Sequence, residues 1–211
     1  ARVADEAART TFAKNIKTVL EKNKLDGIDL DFEWAENEKE YKDYSLAILK
    51  MREVLGNKYL FSVSLHPVCY KISKEAIEAV DFISLQCYGP SPVRFPIEKY
   101  CSDIQMVLEY GIPKEKLVAG VPFYGVTKDN SKKTEAYFNF VQNGLVTSPA
   151  QNEVIYQGDT YVFDGQDNIR IKTRYAKEQK LKGMMSWDLA TDLPLSDSRS
   201  LLKTMTEELR E

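Results

Sequence analysis

Asp26-Gly27-Ile28-Asp29-Leu30-Asp31-Phe32-Glu33 is the stretch whose reading decides the fold. Apolar residues alternate with acids from Ile28 to Glu33. Successive side chains of a strand point to opposite faces, so Asp29, Asp31 and Glu33 share one face while Ile28, Leu30 and Phe32 share the other. Asp26 precedes the strand beside Gly27. A half-exposed strand with one wet face is the plain reading of that alternation. Two considerations favour a site instead. Asp and Glu are poor strand formers, so three in alternation is costly unless they are used. If the acids turn inward in a closed sheet, crowded carboxylates cannot all ionise, which makes a general acid at neutral pH. The acidic face is therefore expected to be buried.

Outward from this stretch the apolar pattern alternates between helical and strand periods. A helix is expected at about 3–22, the strand at 26–33, and a charged helix at 37–55. Further strands are read at Tyr59–Leu65 (YLFSVSL), Asp81–Tyr88 (DFISLQCY), Leu117–Tyr124 (LVAGVPFY) and Gly183–Leu189 (GMMSWDL). Helices at about 73–79, 96–110, 167–180 and 197–209 separate or follow them. A looser region runs from Tyr124 to about 153. Val154–Tyr156 and Thr160–Phe163, split by Gln157-Gly158-Asp159, read as a hairpin. Strands alternating with helices imply βαβ units and a parallel sheet, and nearly continuous apolar strands fit a sheet covered on both faces. The expected class is α/β, a (β/α)8 barrel type that is incomplete here. About five of eight units are present, with a small hairpin insertion before the last. Such barrels carry their sites at the C-terminal ends of the strands. An open doubly wound sheet is the alternative, but no strand is followed by a glycine-rich phosphate turn.

Composition narrows the function. The 211 residues are 43% hydrophobic, enough for one sizeable core, and the net charge of -3 offers no basic face for nucleic acid. No apolar run approaches the roughly 20 residues a membrane helix needs. Cys69, Cys87 and Cys101 are odd in number and form no CxxC pair, which signals neither a disulfide framework nor a zinc site. The single histidine, His66, precedes Pro67 and reads as a loop residue rather than a triad base. DxDxDxE resembles the start of a calcium loop, but Trp34 stands where that loop needs glycine. No metal and no cofactor is expected.

DGIDLDFE resembles the DxxDxDxE motif of glycoside hydrolase family 18, the chitinases and related endo-β-N-acetylglucosaminidases. YLFSVSL, LQCYG, GVPFYG and the segment Gly165–Asp192 with GMMSWDLATD resemble that family's later strands in order. The resemblance covers nearly the whole chain. It implies that the chain, residues 1–211, is the C-terminal part of one catalytic domain, with three strands expected before Ala1. It implies catalysis by Glu33 as the acid, with Asp31 orienting the substrate acetamide, Asp29 behind it and Asp26 structural. Tyr88 would hold the acetamide oxygen and Trp187 would floor the sugar subsite where the bond breaks, with Gln86 and Tyr124 as further sugar contacts. Trp34 reads better as packing. Many members carry Asp or Asn after the motif tyrosine; here Gly89 stands there, followed by a stiff Pro90-Ser91-Pro92 loop.

The implied partner is an N-acetylglucosamine-containing oligo- or polysaccharide, of chitin type or from an N-glycan core. A chitinase-like binding protein without catalysis is the other class, but such members usually lack the Glu. Residues 126–182 are short for a large insertion, which implies a shallow cleft. An incomplete barrel leaves sheet edges that are expected to self-associate near 26–33. Polymeric substrates imply a secreted, periplasmic or cell-surface protein.

Overall fold

The computed structural model describes residues 5–210 as two compact units. The first runs to Leu85 and takes in Val107–Leu117. It alternates α1 (Glu6–Asn23), β1 (Gly27–Asp31), α2 (Glu38–Leu55), β2 (Leu60–Leu65), α3 (Lys74–Ala79) and β3 (Phe82–Leu85). Each helix starts on a side-chain cap. Asp5 accepts from the N–H groups of Ala7 and Ala8, Asn37 from Glu40 and Ser73 from Ala76, which satisfies donors that a first turn leaves unpaired. Lys24 ends α1 in the left-handed conformation.

β1, β2 and β3 lie parallel, with Ile28 opposite Phe61 and Ser62 opposite Phe82. α2 turns Tyr44, Ala47, Ile48, Met51 and Leu55 inward, the three-and-four spacing of an apolar stripe. Phe61, Val63 and Leu65 are buried, and so are Ser62 and Ser64 between them, as the unbroken apolar reading of this strand requires. Arg52 ties the strand ends together. It donates to the Ala79 carbonyl and to Asp81, whose carboxylate also takes the Phe61 N–H.

Gly27 is required where β1 meets β2. A Cβ there would fall 2.3 Å from the Leu60 carbonyl oxygen and 2.7 Å from Leu60 Cβ. Backbone cannot yield as a flexible side chain can, so Gly27→Ala is expected to destabilise the protein by about 1–3 kcal/mol. Urea unfolding will measure the loss, and an unchanged midpoint would contradict the close approach.

The second unit comprises Gln86–Met106 and Val118–Glu211. α4 (Ile97–Tyr110) begins in it, and β4 (Leu117–Pro122) pairs in parallel with β9 (Gly183–Trp187), Pro122 facing Trp187. Between them stands an antiparallel sheet of order β6-β5-β8-β7. Its strands are β5 (Tyr124–Thr127), β6 (Thr134–Ala136), β7 (Glu153–Tyr156) and β8 (Asp159–Val162), with α5 (Tyr137–Gln142) after β6. The β7–β8 hairpin is the one expected. Its two turn residues, Gln157 and Gly158, have φ of 51° and 88°, the positive pair that the tightest hairpin turns need. The insertion is nevertheless more than a hairpin. The region read as loose forms β5, β6 and α5, packed through Tyr137, Phe140 and Phe163.

α6 (Gln166–Glu178) packs on α7 (Leu201–Arg210), where Arg174 forks onto Glu208. α7 starts later than the expected 197, because buried Asp192 accepts from Ser200 Oγ and from the N–H groups of Leu201 and Leu202 and so fixes its first turn. Residues 3 and 4 of the first expected helix lie outside the described residues. Among the described residues all three cysteines are free, no helix is long and apolar enough to cross a membrane, and no group of three or more metal-ligating side chains gathers.

Candidate active site

The residues singled out from the sequence divide between the units. In the first, β1 carries Asp29 and Asp31 on its exposed face. Asp29 accepts two short hydrogen bonds, from Ser62 Oγ at 2.6 Å and Ser64 Oγ at 2.7 Å. The register explains both, since Asp29 stands beside Ser62 and Asp31 beside Ser64. The alternate serines of YLFSVSL line up along the acidic face. Asp31 is exposed at the end of the strand. Asp26 is exposed, and its backbone carbonyl takes the Leu60 N–H that opens the β1–β2 ladder.

Two expectations are corrected here. The acidic face is not buried: Asp29, Asp31 and Glu33 are all exposed, because β1 pairs only with β2 among the described residues and nothing in this unit covers that face. The strand also stops at Asp31, so Glu33 sits in the loop that follows rather than on the strand. That loop is pulled toward β2. The Ala35 N–H donates to buried Cys69 Sγ at 3.2 Å, and the Trp34 ring stacks on His66 with centroids 4.5 Å apart. His66 Nδ1 accepts the Val68 N–H, which fixes the ring beneath the indole. Glu33 itself has no hydrogen bond or ion pair among the described residues, leaving its carboxyl available to a ligand. Beneath the strand Tyr44 donates to the Leu30 carbonyl and stacks on Phe32. Burial first, and the Asp29 charge second, hold its hydroxyl above the ordinary tyrosine value.

In the second unit Gln86 and Tyr88 are buried and lie past the end of β3 (Phe82–Leu85), three residues short of the expected strand end. Tyr88 donates to Met185 Sδ at 3.6 Å and meets the Tyr124 ring edge-on at 6.4 Å. Tyr124 donates its hydroxyl to the Gly89 carbonyl at 3.2 Å, so the Gly89 backbone occupies this tyrosine directly. Burial raises that hydroxyl above its ordinary value and keeps it a donor. Trp187 closes β9 with 56% of its surface exposed, unusual for so large an apolar side chain. The Glu33–Trp34 and Trp187–Asp188 peptide bonds are both cis.

A cavity of about 350 Å³ brings Tyr124 and Trp187 together with Pro90, Thr134, Glu135, Ala136, Asp188 and Thr191. The expected sugar contacts Trp187 and Tyr124 thus line one cavity, while Gln86 and Tyr88 are not among its lining residues. Sequence reasoning missed Glu135, Asp188, Ser62 and Ser64. The paired serines carried a signal in their alternation opposite the acids; Glu135 carried none.

An α/β chain of parallel strands, with acids at the C-terminal end of one strand and a bare tryptophan at the end of another, has the layout of a barrel-type carbohydrate-active domain. The family model for glycosyl hydrolases family 18 matches residues 1–192, and the chain belongs to that family. It is 24% identical over 254 residues to probable chitinase 2 of Drosophila melanogaster, covering 90% of this chain and 52% of that protein. A crystal structure of chitinase ChiB from the chitin utilization locus of Flavobacterium johnsoniae superposes with a TM-score of 0.81 at 27% identity, over 98% of this chain and 67% of that one. A chitinase-like agglutinin from Robinia pseudoacacia, RobpsCRA, superposes with the same TM-score at 18% identity, over 98% of this chain and 74% of that one, a likeness of fold alone. The fold is of the (β/α)8 barrel type, and the chain spans about half the length of the Drosophila protein.

Proposed function

We infer that the protein is an endo-acting glycoside hydrolase that cleaves β-1,4 linkages next to N-acetylglucosamine in chitin-type oligosaccharides. The observation that carries this reading is the complete acidic motif, with Glu33 unencumbered in the loop after β1 and Asp29 fixed by two serine hydroxyls. Membership of family 18 and the relatives called chitinases support it.

The chemistry suits the residue types. Glu33 gives its proton to the glycosidic oxygen while the substrate's own 2-acetamido oxygen attacks C1, and the C1–O bond breaks. This substrate-assisted route needs no second protein carboxylate as nucleophile. Asp31 orients the acetamide N–H and stabilises the oxazolinium-like intermediate, and Asp29 backs Asp31. The Tyr88 hydroxyl holds the acetamide oxygen. Glu33, now a carboxylate, takes a proton from water; the water oxygen attacks C1 and reopens the ring, so configuration is retained after two inversions. Trp187 offers an indole face to the apolar side of a pyranose, with Tyr124 and Gln86 as further contacts. A polymer of this kind is met outside cells, where such an enzyme acts.

The experiment is to incubate the protein with chitohexaose and follow the anomeric protons of the products. Internal cleavage with the β-anomer formed first is the expected result. α-Anomer first would refute the substrate-assisted route, and no cleavage together with retained binding would favour the second reading, a carbohydrate-binding protein. Endo-β-N-acetylglucosaminidase action on N-glycan cores is the alternative substrate assignment. A high-mannose glycopeptide in the same assay separates the two, since only that activity releases its glycan.

A further inference from the structure

The Glu33 side chain is held by no hydrogen bond or ion pair among the described residues, so its place must be set through its neighbours in the chain. The two residues after it both reach one short turn, His66-Pro67-Val68-Cys69, which follows β2. Trp34 lays its ring on the His66 imidazole at an interplanar angle of 18°. The indole keeps 40% of its surface exposed, so the imidazole rather than a closed pocket holds it. Ala35 is buried, and its N–H is satisfied by the buried Cys69 thiol. A buried amide denied its acceptor is costly, so this contact pins the loop.

The turn itself is braced on every side. Pro67 takes its second position, where the ring-fixed φ suits a β-turn. The Cys69 N–H donates to the His66 carbonyl at 2.7 Å, and the His66 N–H donates back to the Cys69 carbonyl at 3.2 Å. The Val68 N–H goes to His66 Nδ1, and Tyr41 of α2 donates to the Val68 carbonyl at 3.3 Å. Burial first, and the neighbouring Cys69 thiol second, push the Tyr41 hydroxyl up to about 12, which keeps it a donor. Below the turn, β2 is buried from Phe61 to Leu65. A rigid support thus meets the loop at two successive residues, directly after the one carboxyl left free.

We propose that the His66–Cys69 turn positions the acid: Cys69, acting through the Ala35 N–H, and His66, acting through the Trp34 ring, are positioning residues that hold Glu33 at the glycosidic oxygen. This rests on the reading of Glu33 as the acid. Neither residue is asked to touch the substrate. A catalytic group displaced by about 1 Å loses on the order of 10²-fold in rate, and loosening one of two pins costs part of that.

The test compares kcat/KM on two substrates. Chitohexaose has a sugar leaving group that must be protonated, whereas an aryl chitobioside releases a phenol that leaves with little help from an acid. Cys69→Val removes the acceptor at similar volume, and Cys69→Ser supplies one again. Cys69→Val is expected to lower kcat/KM on chitohexaose by roughly three- to thirtyfold but on the aryl glycoside by less than about twofold. Cys69→Ser should recover most of the loss. An equal loss on both substrates would mark a merely structural role and overturn the proposal, and so would no loss or a serine no better than valine. If Cys69→Val fails to fold, His66→Ala carries the same test, because it removes the ring beneath Trp34 and leaves the backbone bonds of the turn; the same substrate dependence is expected, and its absence overturns the proposal. Glu33→Gln is measured alongside. If it cleaves chitohexaose as well as the wild type, the reading of the acid falls and the proposal with it. If it is inactive while the turn variants are unimpaired, only the proposal falls.

Discussion

Glu33→Gln is expected to lower the rate of chitooligosaccharide hydrolysis by roughly 10²–10⁴-fold, the range that a positioned general acid–base supplies. The same group is asked to act twice, giving a proton to the leaving oxygen and then taking one from water, so glutamine loses both steps at near-constant volume. Stability should hardly change. Glu33 is exposed and engaged by no hydrogen bond or ion pair among the described residues, so the substitution strands no partner. The loop should keep its path as well, because Ala35 to Cys69 and Trp34 on His66 are what tie it down. Substrate affinity in the variant should therefore stay within a few fold while kcat collapses, and that split marks a residue acting on the transition state. Equal rates for the two proteins would remove Glu33 from the acid's role. A variant that fails to bind as well as to cleave would mark it as a binding group instead.

Much of this arrangement was legible in the chain, and where legibility ended has physical reasons. Strands buried on both faces announce themselves as apolar runs, so β2, β3 and β4 were located to within a few residues, and the apolar run of β9 located it as well although that strand is only half-buried. Strand alternation placed Asp29 and Asp31 on one face of β1. Alternation tells which side chains share a face, however, not what covers it, and the expected burial of the acids failed for that reason. The ends of strands escaped too. β1 stops at Asp31 because a thiol and an imidazole distant in sequence pull the loop away, and nothing near Glu33 encodes Cys69 or His66. The antiparallel sheet was half seen. Gln157-Gly158 marked one hairpin, but the link from β5 to β6 runs through Lys128-Asp129-Asn130-Ser131-Lys132-Lys133, whose polarity hides the short strands on either side. Glu135 sits in that concealed region, so its place beside Trp187 emerges only from the pairing of β6 with β5.

The largest stability effect is expected at Lys172, a residue outside the motif. Its ammonium is fully buried and pairs with equally buried Asp164 at 2.6 Å. It also donates to the Phe95 carbonyl at 2.9 Å and lies 5.4 Å from the centre of the Tyr100 ring. Asp164 completes its own shell with Asn168. Such a pair repays its desolvation only through those bonds, and removing one member leaves the other charge buried without compensation. Lys172→Met is therefore expected to cost about 3–5 kcal/mol. Replacing both members by apolar residues, Lys172→Met with Asp164→Leu, should recover most of that loss, because it removes the stranded charge along with its partner. The chain's two tryptophans lie one in each unit, so unfolding followed by Trp187 fluorescence in a Trp34→Phe background reads the unit that holds the pair. The consequence reaches the cavity through Phe95. Its carbonyl takes the Lys172 proton, and its ring meets Tyr124 edge-on at 6.4 Å, the tyrosine whose hydroxyl holds Gly89 next to Pro90. A single substitution that costs less than 1 kcal/mol would mean that solvent reaches the ammonium. A double variant no more stable than the single one would mean that the pair serves to hold Phe95 and the 89–95 loop, and that the carboxylate was never the main cost.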